Sequence, residues 1–532
     1  MTHKKNIIIL SVIFLILSVI FYGKTGTFLI DFSRESYIPY QITQGQSLIK
    51  DIFLIYGPFG YIINAILYSI KVNINLLYIE AHIISYGTLI LFYFILNKFY
   101  TEKLSLTLSA IFCAVSIFSD SIFSFITPYS FSTLWSVFGI YVALFCLLYN
   151  KKRYLFLSLG LILTSKIEFF IPTFIISVAY LIYTKEKFKK DFLFILIIPA
   201  ITLIYFILNK VTLNDLSQNY FYIKSMLNAK SLKYFYKGMG AYFEIEYFKY
   251  NLLLLAKIIG IGLASFILYF YKKPIISYTL LAIGLSIINT NFALNLILFI
   301  AIIFTFCSKN KNILSKNEII WFLFSSILCF KAIFAINSIG YGNFGYCSLI
   351  FYTYYQMQKF VNKKWLINSL IIFFVINYTM NIMRFFYSDK VPIKTQIGTI
   401  WILKNYKNLF IGTNDFIKKH IKTKENFIVI PEGQIFNLIH KKPYDFYNST
   451  FTPLDFETFG EANLINQLEK NETDYIIVYP RDTTDYKAKN ICYDYAVDFC
   501  KYIIDNYTQV ASIKDGERVS IFKKKRWKRE KQ

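Results

Sequence analysis

The sequence predicts a polytopic α-helical membrane protein with a C-terminal α/β domain outside the membrane. Three observations predict it. Apolar runs near the roughly 20 residues that a bilayer-crossing helix needs recur through the first three quarters of the 532-residue chain. The composition is 56% hydrophobic and 20% aromatic against 17% charged, with a mean hydropathy of +0.46, which no soluble globular protein matches. The patterning then changes: residues 1–389 read as a transmembrane domain, and residues 390–532 hold most of the acidic groups and read as a soluble domain. Helices are expected because only helices and closed barrels satisfy their backbone groups in lipid.

The net charge of +25 does not point to nucleic acid, because the Lys and Arg sit mainly in short loops between apolar runs. His3-Lys4-Lys5 precede the first run, Ile7–Tyr22, so the N-terminus is expected in the cytoplasm. Tyr22-Gly23-Lys24 is a poor cleavage site, so that run reads as an uncleaved span. Next, Tyr56-Gly57-Pro58-Phe59-Gly60-Tyr61 leads into Ile62–Ile70. If Ile52–Ile70 lies at the interface rather than crossing, every short basic loop falls on the cytoplasmic side. These loops include Lys151-Lys152-Arg153, Lys185 to Lys190, Lys272-Lys273 and Lys359 to Lys364. The resulting count is about 13 spans, the last near Leu366–Phe386.

Two segments then lie outside. The first, about 23–75, is rich in charge. The second, about 209–250, is rich in aromatics, with Tyr220-Phe221-Tyr222, Tyr234-Phe235-Tyr236 and Tyr242-Phe243. Amphipathic rings favour the headgroup level, so this segment reads as a membrane-lying anchor, a reading compatible with a flap over a lipid substrate. In the C-terminal domain, strands are expected at Phe427–Ile430, Tyr475–Val478 and Val519–Phe522, and helices at Glu461–Lys470 and Tyr493–Tyr507. The basic run Lys523–Lys528 reads as a solvated tail able to meet anionic headgroups. Cys113, Cys146, Cys307, Cys329 and Cys347 lie in apolar runs and read as small core residues. Cys492 and Cys500 lie in the soluble domain, with their pairing left open, and no cysteine spacing suggests a metal site.

On this topology the conspicuous charges gather on the outer side. Asp31, Arg34 and Glu35 form Asp31-Phe32-Ser33-Arg34-Glu35 just after the first span. Asp51 and Tyr56 follow in the same segment, and Asp120 lies in the next outer loop. Lys166 and Glu168 interrupt an apolar region. Being two apart they share no helix face, so no local ion pair is expected between them. Lys331 lies in the run Ile319–Ile336, roughly two turns from its outer end. Taken singly, Asp120 and Asp51 read as caps and Lys331 as a snorkelling lysine. Their agreement on one side reads as a site, because ionisable groups in membrane segments are costly. A carboxylate such as Asp31 or Glu35 suits a general base for an acceptor hydroxyl or amine. Lys166, Lys331 and Arg34 suit a leaving phosphate on which negative charge develops.

In these motifs and their order the chain resembles the GT-C integral-membrane glycosyltransferases, the group that includes protein O-mannosyltransferases and the lipid A aminoarabinose transferase. The resemblance rests on the acidic first-loop motif at Asp31, the run Gly45, Asp51 and Gly57-Pro58, a second outer Asp at Asp120, and Leu159-Gly160-Leu161 followed by Lys166-Ile167-Glu168. It implies a hexosyl- or pentosyltransferase of the cytoplasmic membrane that takes sugar from a polyprenyl-phosphate donor, inverts the anomeric centre and acts on the outer face. The acceptor would be lipid, glycan or protein, and Asp31 would be the base. Relatives commonly carry adjacent acidic residues, whereas Asp31 and Glu35 are four apart here. No His-rich or Asp-x-Asp motif calls for a divalent ion, so no cofactor is expected. The competing reading is a transporter or flippase of a lipid-linked glycan. That class favours midplane charges and inverted repeats, and neither is visible in this sequence.

Overall fold

The computed structural model describes residues 2–119, 123–127, 129–287, 294–333, 340–387 and 389–525. It is mostly helical, with a small strand domain at the C-terminus. Among the described residues five helices are long and apolar enough to cross a membrane: His3–Phe21, Ile74–Leu96, Phe131–Leu148, Asp191–Leu208 and Phe248–Phe270. Shorter apolar helices include Phe59–Ile70, Ile167–Tyr183, Pro274–Ile287 and Leu296–Asn310. The stretch expected not to cross is thus a helix of only 12 residues, Phe59–Ile70.

The five differ in what they face. In Phe131–Leu148 and Ile74–Leu96, 78% and 61% of the residues are buried inside the protein, against 11% in Asp191–Leu208 and in Phe248–Phe270. Phe131–Leu148 packs against Ile74–Leu96, Lys152–Ser165 and Lys316–Cys329 and forms the centre of the bundle. The bulky rings of Phe92, Phe112, Tyr141 and Trp321 fill the space between them. Two glycines permit close approaches here. A Cβ on Gly160 would lie 2.3 Å from the Ile195 carbonyl oxygen, and one on Gly57 would lie 2.1 Å from that of Thr164. Both contacts require a residue without a side chain.

The C-terminal region opens with an antiparallel hairpin, β1 (Lys390–Thr395) and β2 (Gly398–Leu403). A four-stranded sheet follows in the order β3-β4-β6-β5, from β3 (Phe427–Ile430), β4 (Tyr475–Val478), β5 (Tyr507–Asp515) and β6 (Glu517–Lys524). β3 and β4 are parallel and joined by helices; β6 is antiparallel to both β4 and β5. β3 is buried along its whole length, which explains its unbroken apolar sequence. The bounds of β3, β4 and the Glu461–Lys470 helix match the sequence reading. The expected Tyr493–Tyr507 helix is shorter, Val497–Asn506, because Cys492 and Cys500 are bridged by a disulfide with Cα atoms 5.4 Å apart. The strand at 519–522 extends to Glu517–Lys524.

Other expectations need correction. Cys307 is exposed, although the other four cysteines of the apolar runs are buried. The 209–250 segment is largely helical, with Leu213–Asn228 entered through a Thr212/Asp215 capping box and followed by Lys230–Gly238. Its aromatic residues are not simply a membrane anchor. Tyr222 packs on Phe459 at 4.7 Å and Phe235 stacks on Tyr486 at 5.3 Å, while Tyr220 and Phe221 stay exposed. The segment therefore covers the strand domain with one set of rings. Of the Lys523–Lys528 run, residues 526–528 lie outside the described residues.

The strand domain sits on the Asp31–Thr43 helix. Tyr37 Oη donates to the Lys442 carbonyl (2.7 Å), Gln41 Nε2 to that of Tyr444 (2.9 Å), and the Ile435 N–H to Ser33 Oγ (2.6 Å). A helix that the sequence connects to the membrane segments is thereby a structural base for the C-terminal domain.

Candidate functional site

Asp31, Arg34 and Glu35 fall at i, i+3 and i+4 at the start of the Asp31–Thr43 helix, so they share one face. Arg34 lies between the two carboxylates, 3.8 Å from Asp31 and 3.5 Å from Glu35. The carboxylates are held very differently. Glu35 is fully buried: Oε1 accepts from Tyr61 Oη (2.8 Å) and Oε2 from the Phe131 N–H (3.0 Å) at the start of the central helix. A carboxylate at a helix N-terminus is electrostatically favoured. Asp31 keeps 28% of its side chain exposed, and its long contact to Arg34 is its one ion pair among the described residues. Burial raises the pKa of both groups, and the Arg34 guanidinium opposes that rise.

The second cluster forms where a helix is interrupted. Lys152–Ser165 stops at Lys166, whose backbone is extended (φ −151°, ψ 107°), and Ile167–Tyr183 begins directly after it. Lys166 is buried. It donates to Tyr129 Oη (2.8 Å) and Tyr341 Oη (2.6 Å) and lies 3.3 Å from Glu168. The expectation of no ion pair between Lys166 and Glu168 is therefore wrong. It assumed one continuous helix, and the extended residue between the two helices lets the side chains meet. Lys331 also pairs with Glu168. Lys331 is not deep within a continuous helix as expected: the helix Lys316–Cys329 ends before it, and Lys331 lies on a short 3-10 turn, Phe330–Ala332. Two lysines sharing one carboxylate leave one positive charge in excess.

Tyr56 joins the clusters. The Lys166 ammonium lies 4.7 Å from its ring centre and the Arg34 guanidinium 5.9 Å. Gly57 holds it there: the Gly57 N–H donates to the Ser165 carbonyl (2.8 Å) and the Gly57 carbonyl accepts from Ser132 Oγ (2.9 Å). The close approach at Gly57 thus carries Tyr56 to the helix break at Lys166. Tyr236, from the aromatic segment, comes within 5.8 Å of the Lys331 ammonium.

The strand domain adds charges that the sequence reading missed. Glu432 follows β3 and Arg481 follows β4, at the carboxyl ends of adjacent parallel strands, the usual position for ligand contacts in α/β sheets. Arg481 Nε lies 2.8 Å from Glu432, and a second Arg481 nitrogen lies 3.4 Å from Asp485. Arg481 lowers and Asp485 raises the pKa of Asp31, so these charges act on the first cluster. Burial lifts Glu432 to about 7, with Arg481 opposing the rise. Both strands were legible in the sequence, and a charged residue just past two neighbouring strands, in Ile430-Pro431-Glu432 and Tyr479-Pro480-Arg481, was the available signal.

The structure thus brings together Asp31, Arg34, Glu35, Tyr56, Lys166, Glu168 and Lys331. It leaves Asp51 apart. The Asp51 carboxylate accepts from the Ser47 N–H (2.8 Å) and closes a turn beyond the far end of the Asp31–Thr43 helix. Asp120 lies outside the described residues. Among the described residues no group of three or more His, Cys, Asp or Glu could hold a metal ion. No protein-family model matches the chain, and no curated protein matches it.

The arrangement is chemically two-sided. Asp31 can accept a proton from a group that reaches it. Lys166 spends its three donors on Tyr129, Tyr341 and Glu168, whereas Lys331 has Glu168 as its hydrogen-bond partner among the described residues and retains donors for an anion.

Proposed function

We propose that the chain is a membrane glycosyltransferase of the GT-C type, with about 13 spans, that uses a polyprenyl-phosphate sugar on the outer face of the cytoplasmic membrane. The observation that carries this reading is an accessible carboxylate, Asp31, joined through the Arg34–Tyr56–Lys166 bridge to a lysine pair with spare positive charge. The apolar helices beside it suit the donor's isoprenoid chain.

Asp31 takes the proton from an acceptor hydroxyl or amine. The acceptor atom attacks the anomeric carbon, and the bond from that carbon to the phosphate oxygen breaks with its electron pair going to the phosphate. Lys331 and Arg34 stabilise the polyprenyl phosphate that leaves. Lys166 acts indirectly, by fixing Glu168 and the two tyrosines. Glu35 holds Arg34 and the helix carrying Asp31.

The test is transfer by the purified protein in proteoliposomes, given a panel of polyprenyl-phosphate and nucleotide sugars. Release of polyprenyl phosphate from one lipid-linked sugar, lost in Asp31→Asn, is the expected result. Passage of an intact lipid-linked glycan across the bilayer without release would replace this reading with a flippase.

A further inference from the structure

A polar groove of about 560 Å³ opens at the other end of the Asp31–Thr43 helix. It lies between the turn that follows this helix, the Leu213–Asn228 helix and the strand domain. Its volume falls within the roughly 300–1,000 Å³ of small-molecule sites. Six side-chain amides line it: Gln44, Gln46, Gln218, Asn463, Gln467 and Asn471. Each amide offers donors and an acceptor on one planar group. Tyr222 and Tyr447 add two half-buried rings that pack on Phe53 and Phe459, with the Tyr447 hydroxyl donating to the Ile49 carbonyl (2.9 Å). The charges balance, with Lys50 and Lys470 against Asp51 and Asp445.

Part of this surface is committed to structure. Gln46 Nε2 donates to Asp445 (2.8 Å), Gln467 Oε1 accepts from the Tyr447 N–H (3.1 Å), and Asn463 Nδ2 donates to Tyr222 Oη (3.3 Å). These bonds fix the walls. The exposed amide of Gln218 and the Nε2 end of Gln467 have no hydrogen-bond partner among the described residues.

We infer that this groove binds a neutral oligosaccharide, the chain of a glycan acceptor. Charge balance disfavours an anionic or cationic ligand. Dense amides, with Gln44 and Gln218 exposed, suit a polyhydroxylated ligand, whose hydroxyls need paired donors and acceptors. The helix between groove and Asp31 has 13 residues, about 20 Å at 1.5 Å per residue. A chain of several sugars covers that span and a single sugar does not. The inference rests on the proposed transfer reaction for the role of the ligand as acceptor, but binding in the groove is separate from chemistry at Asp31.

The experiment measures calorimetric binding of neutral hexasaccharides (gluco-, manno- and N-acetylglucosamine series) to the full-length protein in nanodiscs. The proteins compared are wild type, Asp31→Asn and the double variant Gln44→Ala/Gln218→Ala, whose two side chains are exposed. At least one oligosaccharide is expected to bind wild type and Asp31→Asn equally. The double variant is expected to bind it about tenfold or more weakly, while its melting temperature and its hydrolysis of the donor, in which water takes the sugar and polyprenyl phosphate leaves, stay unchanged. No binding by any of the three series, or equal binding by the double variant, overturns the inference. Failure of the transfer reading shows elsewhere, as absence of polyprenyl-phosphate release in a protein that still binds the oligosaccharide.

Discussion

The clusters on either side of Tyr56 are built on opposite plans. Around Arg34 one cation is divided between two carboxylates, Asp31 and Glu35, and further acidic groups, Glu432 and Asp485, approach from the strand domain beside Arg481. Around Glu168 one carboxylate is divided between two cations, Lys166 and Lys331. In each cluster one of the duplicated groups is locked and the other is not. Glu35 and Lys166 are saturated by tyrosines and backbone, and Asp31 and Lys331 are left under-used. The difference separates scaffolding from chemistry: a saturated buried charge holds helices together, and the companion it leaves free can meet a ligand.

That division predicts a double dissociation between the two carboxylates. Asp31→Asn should lower transfer by about 100- to 10,000-fold, the usual contribution of a general base. It should leave thermal stability nearly unchanged, because a long, partly exposed ion pair is worth less than about 1 kcal/mol. Glu35→Ala should instead destabilise the protein by about 3–5 kcal/mol, because it leaves Arg34 without its buried partner and orphans the Tyr61 hydroxyl and the Phe131 N–H. Initial rates with labelled donor, together with thermal unfolding in detergent, read both effects. A stable, inactive Glu35 variant beside an active Asp31 variant would reverse the assignment.

Within the lysine pair the effects are smaller and point the same way. Lys331→Ala should raise the KM for the donor about 10- to 100-fold, which corresponds to losing one charge-assisted contact of roughly 1.5–3 kcal/mol. Lys166→Ala should chiefly lower the melting temperature, since Tyr129, Tyr341 and Glu168 lose their common partner. A donor KM that rises in Lys166→Ala but not in Lys331→Ala would show that the ligand displaces the tyrosines from the buried lysine.

Local pattern and tertiary contact were unequally legible in the sequence. Phe427–Ile430 and Tyr475–Val478 stood out because short apolar runs between polar stretches have few other readings. β1 was hidden: Lys390–Thr395 alternates weakly and carries Pro392, which disfavours a strand assignment. The residue types of the site were visible, since Lys166, Glu168 and Lys331 are charges in apolar surroundings. Their partners were not, because Tyr129 and Tyr341 are 37 and 175 residues away from Lys166 and look like ordinary membrane aromatics. The extended backbone at Lys166 was also out of reach, because it depends on the packing of two helix ends rather than on a proline or glycine at that position.

The smallest expected effect tests whether the strand domain belongs to the acidic cluster or merely covers it. Burial raises the Glu432 carboxyl to about 7 against an ordinary value near 4.5, despite Arg481 beside it. Between those two pH values the folded protein keeps a proton that the unfolded chain has lost. The associated stability is present below the unfolded value and is lost as the pH rises towards 7. It is of order 3 kcal/mol at most, from about 1.4 kcal/mol per pKa unit. In Glu432→Gln this contribution is absent, so the fall in melting temperature of the full chain between pH 5 and pH 7.5 should become shallower than in wild type. Glu432 also feels the charges of Asp31 and Arg34. If the domain shares the cluster, Arg481→Gln should shift the acidic limb of the transfer rate, set by Asp31, to higher pH, because the positive charge that helps Asp31 lose its proton disappears. A shallower melting profile in Glu432→Gln with an unmoved acidic limb in Arg481→Gln would mean that the strand domain covers the site without tuning its base.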